Sequence, residues 1–235
     1  MAKKKIINRG WPVQGNRCVA FLDILGFKDL VARSTHSEIY DMLSSISSVQ
    51  EAIEGAEAER VFITKFSDSI VIFSRDSQKD SLMTFMIAIE YLFIRCMQKR
   101  IPIKGAVAFG QISVDIDNTL FFGQPLIDAY LLEENLKYYG MIFHHTAINV
   151  LRGKELLDEV VHIPTPLKYG LINHYNLNWF KDYKEFNNIE DAGDNGECTE
   201  CIRSFYNKVS GEPRIYIDNT MKTYMRIKSE EEKTE

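Results

Sequence analysis

Two aspartates in apolar surroundings are the residues best placed to do chemistry. Asp23 interrupts the run VAFLDILGF (19–27), and Asp68 interrupts FSDSIVIF (66–73). An unpaired buried carboxylate is costly, so each charge needs a partner, and a bound cation is one of the few groups able to neutralise it. Two carboxylates from distant parts of a chain, with backbone oxygen beside them, are what Mg2+ or Mn2+ requires when it also holds a polyphosphate. Each residue has a plainer use as well. Asp23 is a fitting N-cap for a helix beginning in GFKDLVA, Gly26 eases a tight strand-to-helix turn, and Asp68 is a favoured turn residue.

Other motifs point to less. Cys198 and Cys201 form a C-x-x-C, but a tetrahedral zinc site needs two further ligands and none stands nearby in sequence. DIDN at 115–118 imitates the opening of a calcium loop, yet Leu120 and Leu126 stand where glycine and glutamate belong, so a hairpin turn is expected. His144 and His145 have no third ligand in sight. The chain has neither a Walker A loop nor a G-x-G-x-x-G, which disfavours P-loop and Rossmann chemistry. A phosphatase of the haloacid dehalogenase type also begins with a strand aspartate, but it needs a second aspartate two residues on, and that position is Leu25.

The elements that must position the two aspartates follow from periodicity. Residues 18–24 read as a buried strand. A helix over 36–54, started by Thr35 or Ser37, carries Ile39, Leu43, Ile46, Val49 and Ile53 at helical spacing. RVFITKFSDSIVIFSRD is a strand pair broken at Ser67–Asp68. Helix returns over 78–99, then a long strand, a turn at Asp117–Asn118, a short returning strand, and a helix over 124–137. MIFHHTAINVLRG adds a strand and a helix, with further strands near 159–163 and 169–178. The order strand, helix, strand, strand, helix, strand gives an α+β fold with a ferredoxin-like βαββαβ core, extended by C-terminal strands and helices. In that arrangement the first and third strands are neighbours, so Asp23 and Asp68 meet.

A chain of 235 residues with 45% hydrophobic content can bury one sizeable core. An N-terminal segment over 1–17 precedes a main domain over 18–180. The remainder, 181–235, is expected to pack on the same domain: a polar loop over 181–196, a helix near 197–208 and a charged tail. The net charge of −5 argues against a general nucleic-acid binder. The lysines of MAKKKIINRGWP are not followed by a long apolar stretch, and no segment is long and apolar enough to span a bilayer, so a soluble cytoplasmic protein with no membrane association is expected.

FLDILGF followed by FSDSIVIF resembles the class III nucleotidyl cyclases, in which a strand-end aspartate and a hairpin aspartate bind catalytic metals. KGAVAFGQI is similar to the family's following strand, and FFGQPLIDAYLLEE to its Gly-x-x-Val-Asn-x-Ala segment. The resemblance covers residues 18–136, and the later segments look closest to the pyrimidine cyclases of bacterial Pycsar antiphage defence. Purine cyclases commonly place a base-reading lysine where this chain has Thr64. Lys65 follows one step later and points to the opposite strand face. Leu120 stands at a position acidic in many adenylyl cyclases. Ile127 and Leu131 replace the transition-state asparagine and arginine.

The resemblance implies that 18–180 is a nucleotidyl cyclase domain. It would convert UTP or CTP, UTP being the commoner in the family, to the 3′,5′-cyclic nucleotide and pyrophosphate. Asp23, Asp68 and the Ile24 carbonyl would bind two Mg2+ or Mn2+ ions, with the Gly26 and Phe27 amides facing phosphate. Thr64, Lys65, Lys104 and Asp128 are candidates for contact with the base or the transition state, and Arg75 is a further polar group expected near the site. A homodimer with sites at the interface and a separate cyclic-nucleotide receptor are implied partners. The alternative is a degenerate cyclase-like module that binds nucleotide or a partner without turnover.

Overall fold

Alternation of side chains builds the centre of the molecule. In β1 (Gln14–Ile24), Cys18, Ala20, Leu22 and Ile24 enter the main core, while Val19 enters a second apolar cluster on the other face. Successive strand residues point to opposite faces, so one run of sequence serves two layers. The computed structural model describes residues 10–52, 59–181, 183 and 198–231. The N-terminal lysines, nearly all of the polar 181–196 stretch and the end of the charged tail lie outside the described residues.

β2 (Val61–Phe66) and β3 (Ser69–Ser74) form the expected hairpin, and β4 (Ile103–Asp115) is the long strand with β5 (Leu120–Phe122) as its short return. β6 (Met141–Phe143), β7 (Val160–Leu167) and β8 (Gly170–Leu177) complete an eight-stranded sheet of order β2-β3-β1-β4-β6-β8-β7, β5 pairing with β4 off that path. β1 is antiparallel to both β3 and β4, as the βαββαβ pattern requires. On the outer strand, Leu167 bridges Leu136, and Pro166 offers its carbonyl to the Lys137 N–H at 2.9 Å, so Pro166 and, by alternation, Pro164 face away from β8.

Helices α1 (Phe27–Arg33), α2 (His36–Ala52), α3 (Lys79–Gln98), α4 (Gln124–Glu134), α5 (His145–Arg152), α6 (Cys198–Ser204) and α7 (Arg214–Glu231) cover the sheet. A capping box fixes the start of α2: the Thr35 N–H donates to Glu38 Oε2 at 2.7 Å, and the Glu38 N–H donates to Thr35 Oγ1 at 3.3 Å. α3 buries Leu82, Phe85, Ile89, Leu92 and Phe93 against the main core. Each such side chain contributes about 1.5–3 kcal/mol, which is what anchors this helix to the sheet. α4 lies on the opposite face and packs through Pro125, Ala129 and Glu133.

Several boundaries differ from expectation, among them that of β7, which runs on through Pro164 and Pro166 to Leu167 because both prolines face away from β8. β1 begins at Gln14, because Gln14–Arg17 pair with β4 despite their polarity. The buried Arg17 donates from Nε to the Arg75 carbonyl at 2.7 Å and lies over the Trp11 ring. α4 stops at Glu134, since Leu136 turns to bridge Leu167. A 3₁₀ turn, Phe205–Asn207, follows α6 in place of one continuous helix. Where only a charged tail was expected, α7 buries Ile217, Thr220, Thr223 and Ile227. Among the described residues, no helix is long and apolar enough to cross a membrane.

Candidate functional site

β1 ends on Asp23 and Ile24, and the two-residue β2–β3 turn, Ser67 and Asp68, closes beside it. Ser67 takes φ 57, a positive value of the kind that short hairpin turns require. The Ile24 N–H donates to the Asp68 carbonyl at 3.0 Å, and Asp23 faces Ser69 across the ladder. Burial, then the Asp68 charge, push the Asp23 carboxyl above its ordinary pKa, with Lys104 pulling it back. Two carboxylates that repel one another make a fitting pair of oxygen donors for a hard divalent cation. Among the described residues, no group of three or more His, Cys, Asp or Glu side chains is gathered to hold a metal. Two carboxylates do not close a cation's shell by themselves, so an ion held here would need further oxygen ligands from backbone, water or another molecule.

Beyond Ile24 the chain leaves the sheet abruptly, the Leu25 N–H donating to the Pro102 carbonyl at 2.9 Å. Gly26 sits at φ 71, ψ 16, and a Cβ there would meet no atom within 4 Å. Glycine is needed here for its left-handed backbone rather than for space. The Gly26 carbonyl accepts from the Leu30 N–H at 3.0 Å, starting α1. The Gly26 and Phe27 amides stand at the head of that helix, where the first N–H groups have no intrahelical acceptor.

Thr64 shares a face with Asp23, through Val71 opposite Thr64 and Phe21 opposite Val71. Lys65 takes the other face, donating from Nζ to the Leu43 carbonyl at 2.6 Å, and burial lowers its pKa. Lys104 stands directly across from Asp23. Its Nζ lies 2.8 Å from Glu133 Oε1 and donates to the Glu133 backbone carbonyl at 2.9 Å. Asp128 accepts from Gln124 Nε2 at 2.8 Å on α4, and its charge acts on His144. Arg75 lies at the far end of β3, about 20 Å along the strand from Ser69. There it donates to the Glu59 and Gly10 carbonyls, so it is not near the aspartates as expected.

Three further residues, not expected from the sequence, complete the surroundings. Glu133 holds Lys104, with burial pushing its own carboxyl pKa up and Lys104 drawing it down. Tyr130 stands edge-on to Phe21 with centroids 5.3 Å apart. The nearby Glu134 charge, and then a hydrogen bond with it, raise the Tyr130 pKa, and Asp23 adds to the effect. Phe66, beside the turn, is 85% exposed, and Ile127, Tyr130 and Leu131 expose 50%, 42% and 51% on α4. The signal for the last three was their helical spacing, which makes an outward apolar stripe.

No family model matches the chain, and no curated protein matches it. Solved structures do. The catalytic core of a rhodopsin-guanylyl cyclase with converted specificity, in complex with ATPαS, superposes with a TM-score of 0.51 at 15% identity, over 70% of this chain and 96% of that one. A bacterial light-regulated adenylyl cyclase gives 0.52 at 13% identity, over 84% of this chain and 58% of that one. At such identities the likeness is one of fold: the protein has the α+β architecture of class III cyclase catalytic domains.

Proposed function

We propose that this chain is a metal-dependent nucleotidyl cyclase that acts on a pyrimidine nucleoside triphosphate. The observation that carries the reading is the junction of Asp23 with the Asp68 turn, welded by the Ile24 N–H bond to the Asp68 carbonyl at 3.0 Å. Asp23, Asp68 and the Ile24 carbonyl hold the divalent cations. When bound, such ions acidify the ribose 3′-hydroxyl and neutralise the triphosphate. The chain's own part is to orient. The carboxylates fix where the triphosphate lies, and the Gly26 and Phe27 amides point at its oxygens. The 3′-oxygen attacks the α-phosphorus, its proton goes to solvent, and the bond to pyrophosphate breaks.

The choice of UTP or CTP rests on the resemblance described above, with Thr64 in the place of a base-reading lysine on the Asp23 face. The exposed apolar groups Phe66, Ile127, Tyr130 and Leu131 on that face support a homodimer that covers them. The same resemblance extends the proposal to second-messenger synthesis in antiphage defence, read by a separate receptor. Incubation with each of the four NTPs and Mn2+, followed by detection of pyrophosphate and cyclic product, tests the cyclase activity and the base. Cyclic UMP or cyclic CMP is expected; a cyclic purine product refutes the base assignment. The apolar Ile127 and Leu131 favour one second reading, a cyclase fold that binds nucleotide without turnover, and binding with no pyrophosphate release selects it.

A further inference from the structure

Lys104 and Asp23 are cross-strand partners in the β1–β4 ladder, so their side chains leave the same face with Cβ atoms about 5 Å apart. A lysine there is the nearest ready-made counter-ion for Asp23, and a direct pair would occupy the oxygens that a divalent cation needs. The lysine is turned to α4 instead. Its ammonium meets Glu133 twice, at 2.8 Å from Oε1 and 2.9 Å from the backbone carbonyl, and the two side chains are only 7% and 4% exposed. Buried pairs of this kind stabilise weakly, because desolvating two ions offsets their attraction.

We propose that Glu133 is a positioning residue for the metal site: by capturing the Lys104 ammonium it keeps Asp23 open to a divalent cation. The inference rests on the metal-dependent function proposed above and adds how one ligand is kept available. Glu133 acts through Lys104 and touches neither metal nor substrate. In Glu133→Gln the lysine loses its carboxylate partner, and Asp23, directly across the ladder, takes its place.

The test is Mn2+ binding to the whole chain, read from the electron paramagnetic resonance signal of the free ion, with thermal unfolding recorded for each variant. E133Q is expected to bind Mn2+ at least tenfold more weakly than the unaltered chain. K104M and the double variant E133Q/K104M, which lack the competing ammonium, are expected to bind at least as tightly as the unaltered chain. Unchanged affinity in E133Q overturns the proposal. So does a double variant as weak as E133Q, which marks Glu133 as a packing residue. Should E133Q not fold, K104M decides, and weaker binding there refutes the idea. Mn2+ binding that survives Asp23→Ala removes the metal reading itself, and this inference with it.

Discussion

Gly26 stands beside the site and Gly123 at the head of α4, against Gln111 and Ile112 and about 26 Å along β4 from Lys104; the two are glycine for different physical reasons, and a matched set of substitutions separates them. Gly26 has φ 71 and open space within 4 Å of where a Cβ would stand, so alanine meets no obstacle and pays only the left-handed backbone cost, about 1–2 kcal/mol. At Gly123 a Cβ would lie 2.8 Å from the Gln111 carbonyl oxygen and 2.9 Å from the Ile112 Cα, backbone atoms that no rotamer moves. Overpacking of that kind costs about 1–3 kcal/mol. For a chain of this size each kcal/mol lowers Tm by about 2–4 °C. Gly26→Ala should then lose about 2–8 °C and Gly123→Ala about 2–12 °C. Because those ranges overlap, asparagine is the discriminating residue. It visits the left-handed region readily, so Gly26→Asn should recover most of the loss, whereas Gly123→Asn should fall below Gly123→Ala. Differential scanning calorimetry on the metal-free protein reads the order, and pyrophosphate release shows whether Gly26→Asn keeps the turn competent. An asparagine less stable than alanine at position 26 refutes the backbone explanation.

Asp23→Asn and Asp68→Asn should each lower pyrophosphate release by about 10³-fold or more, since several kcal/mol of charge stabilisation is lost, while circular dichroism stays unchanged. The folded-state pKa of Asp23 is raised, so its neutral form suits the fold and the stability of the metal-free protein falls as pH rises through that pKa. Asp23→Asn should accordingly unfold at a higher temperature than the unaltered chain at pH 7.5 and lose that slope. Tyr138→Phe removes the hydroxyl that donates to Asn176 Oδ1 at 2.6 Å in a buried site. The loss should be about 1–3 kcal/mol by urea titration. Burial first, and then the neighbouring His144 and His162, hold His174 below its ordinary pKa; burial and His145 do the same to His144. Stability should therefore decline as pH falls from about 6.5 through those lowered values, and His174→Gln should flatten the decline between pH 7.5 and 5.5 in the urea midpoint.

The βαββαβ core was legible because its strands and helices carry clean two-fold and helical periods, and strand parity alone placed Thr64 and Lys65 on opposite faces. The meeting of the β1 end with the 67–68 turn followed from the same topology. α7 escaped because two of its buried positions are Thr220 and Thr223, which read as surface in a charged stretch. The start of β1 was hidden by Arg17, a buried cation held by the Arg75 carbonyl and the Trp11 ring, partners that lie off its strand. Lys104 was visible as a charge, but its capture by Glu133 depends on α4 crossing β4, which spacing along the chain does not encode.

The proline pair on β7 has a bearing on how these molecules can gather. At that rim two successive outward positions lack a donor, and their carbonyls are already engaged, Pro164 with Arg226 Nη1 at 2.7 Å and Pro166 with the Lys137 amide at 2.9 Å. An incoming strand finds few rungs to climb, so runaway growth of the ladder into fibres is barred on this side. Copies that associate here must do so by other means than extending the ribbon.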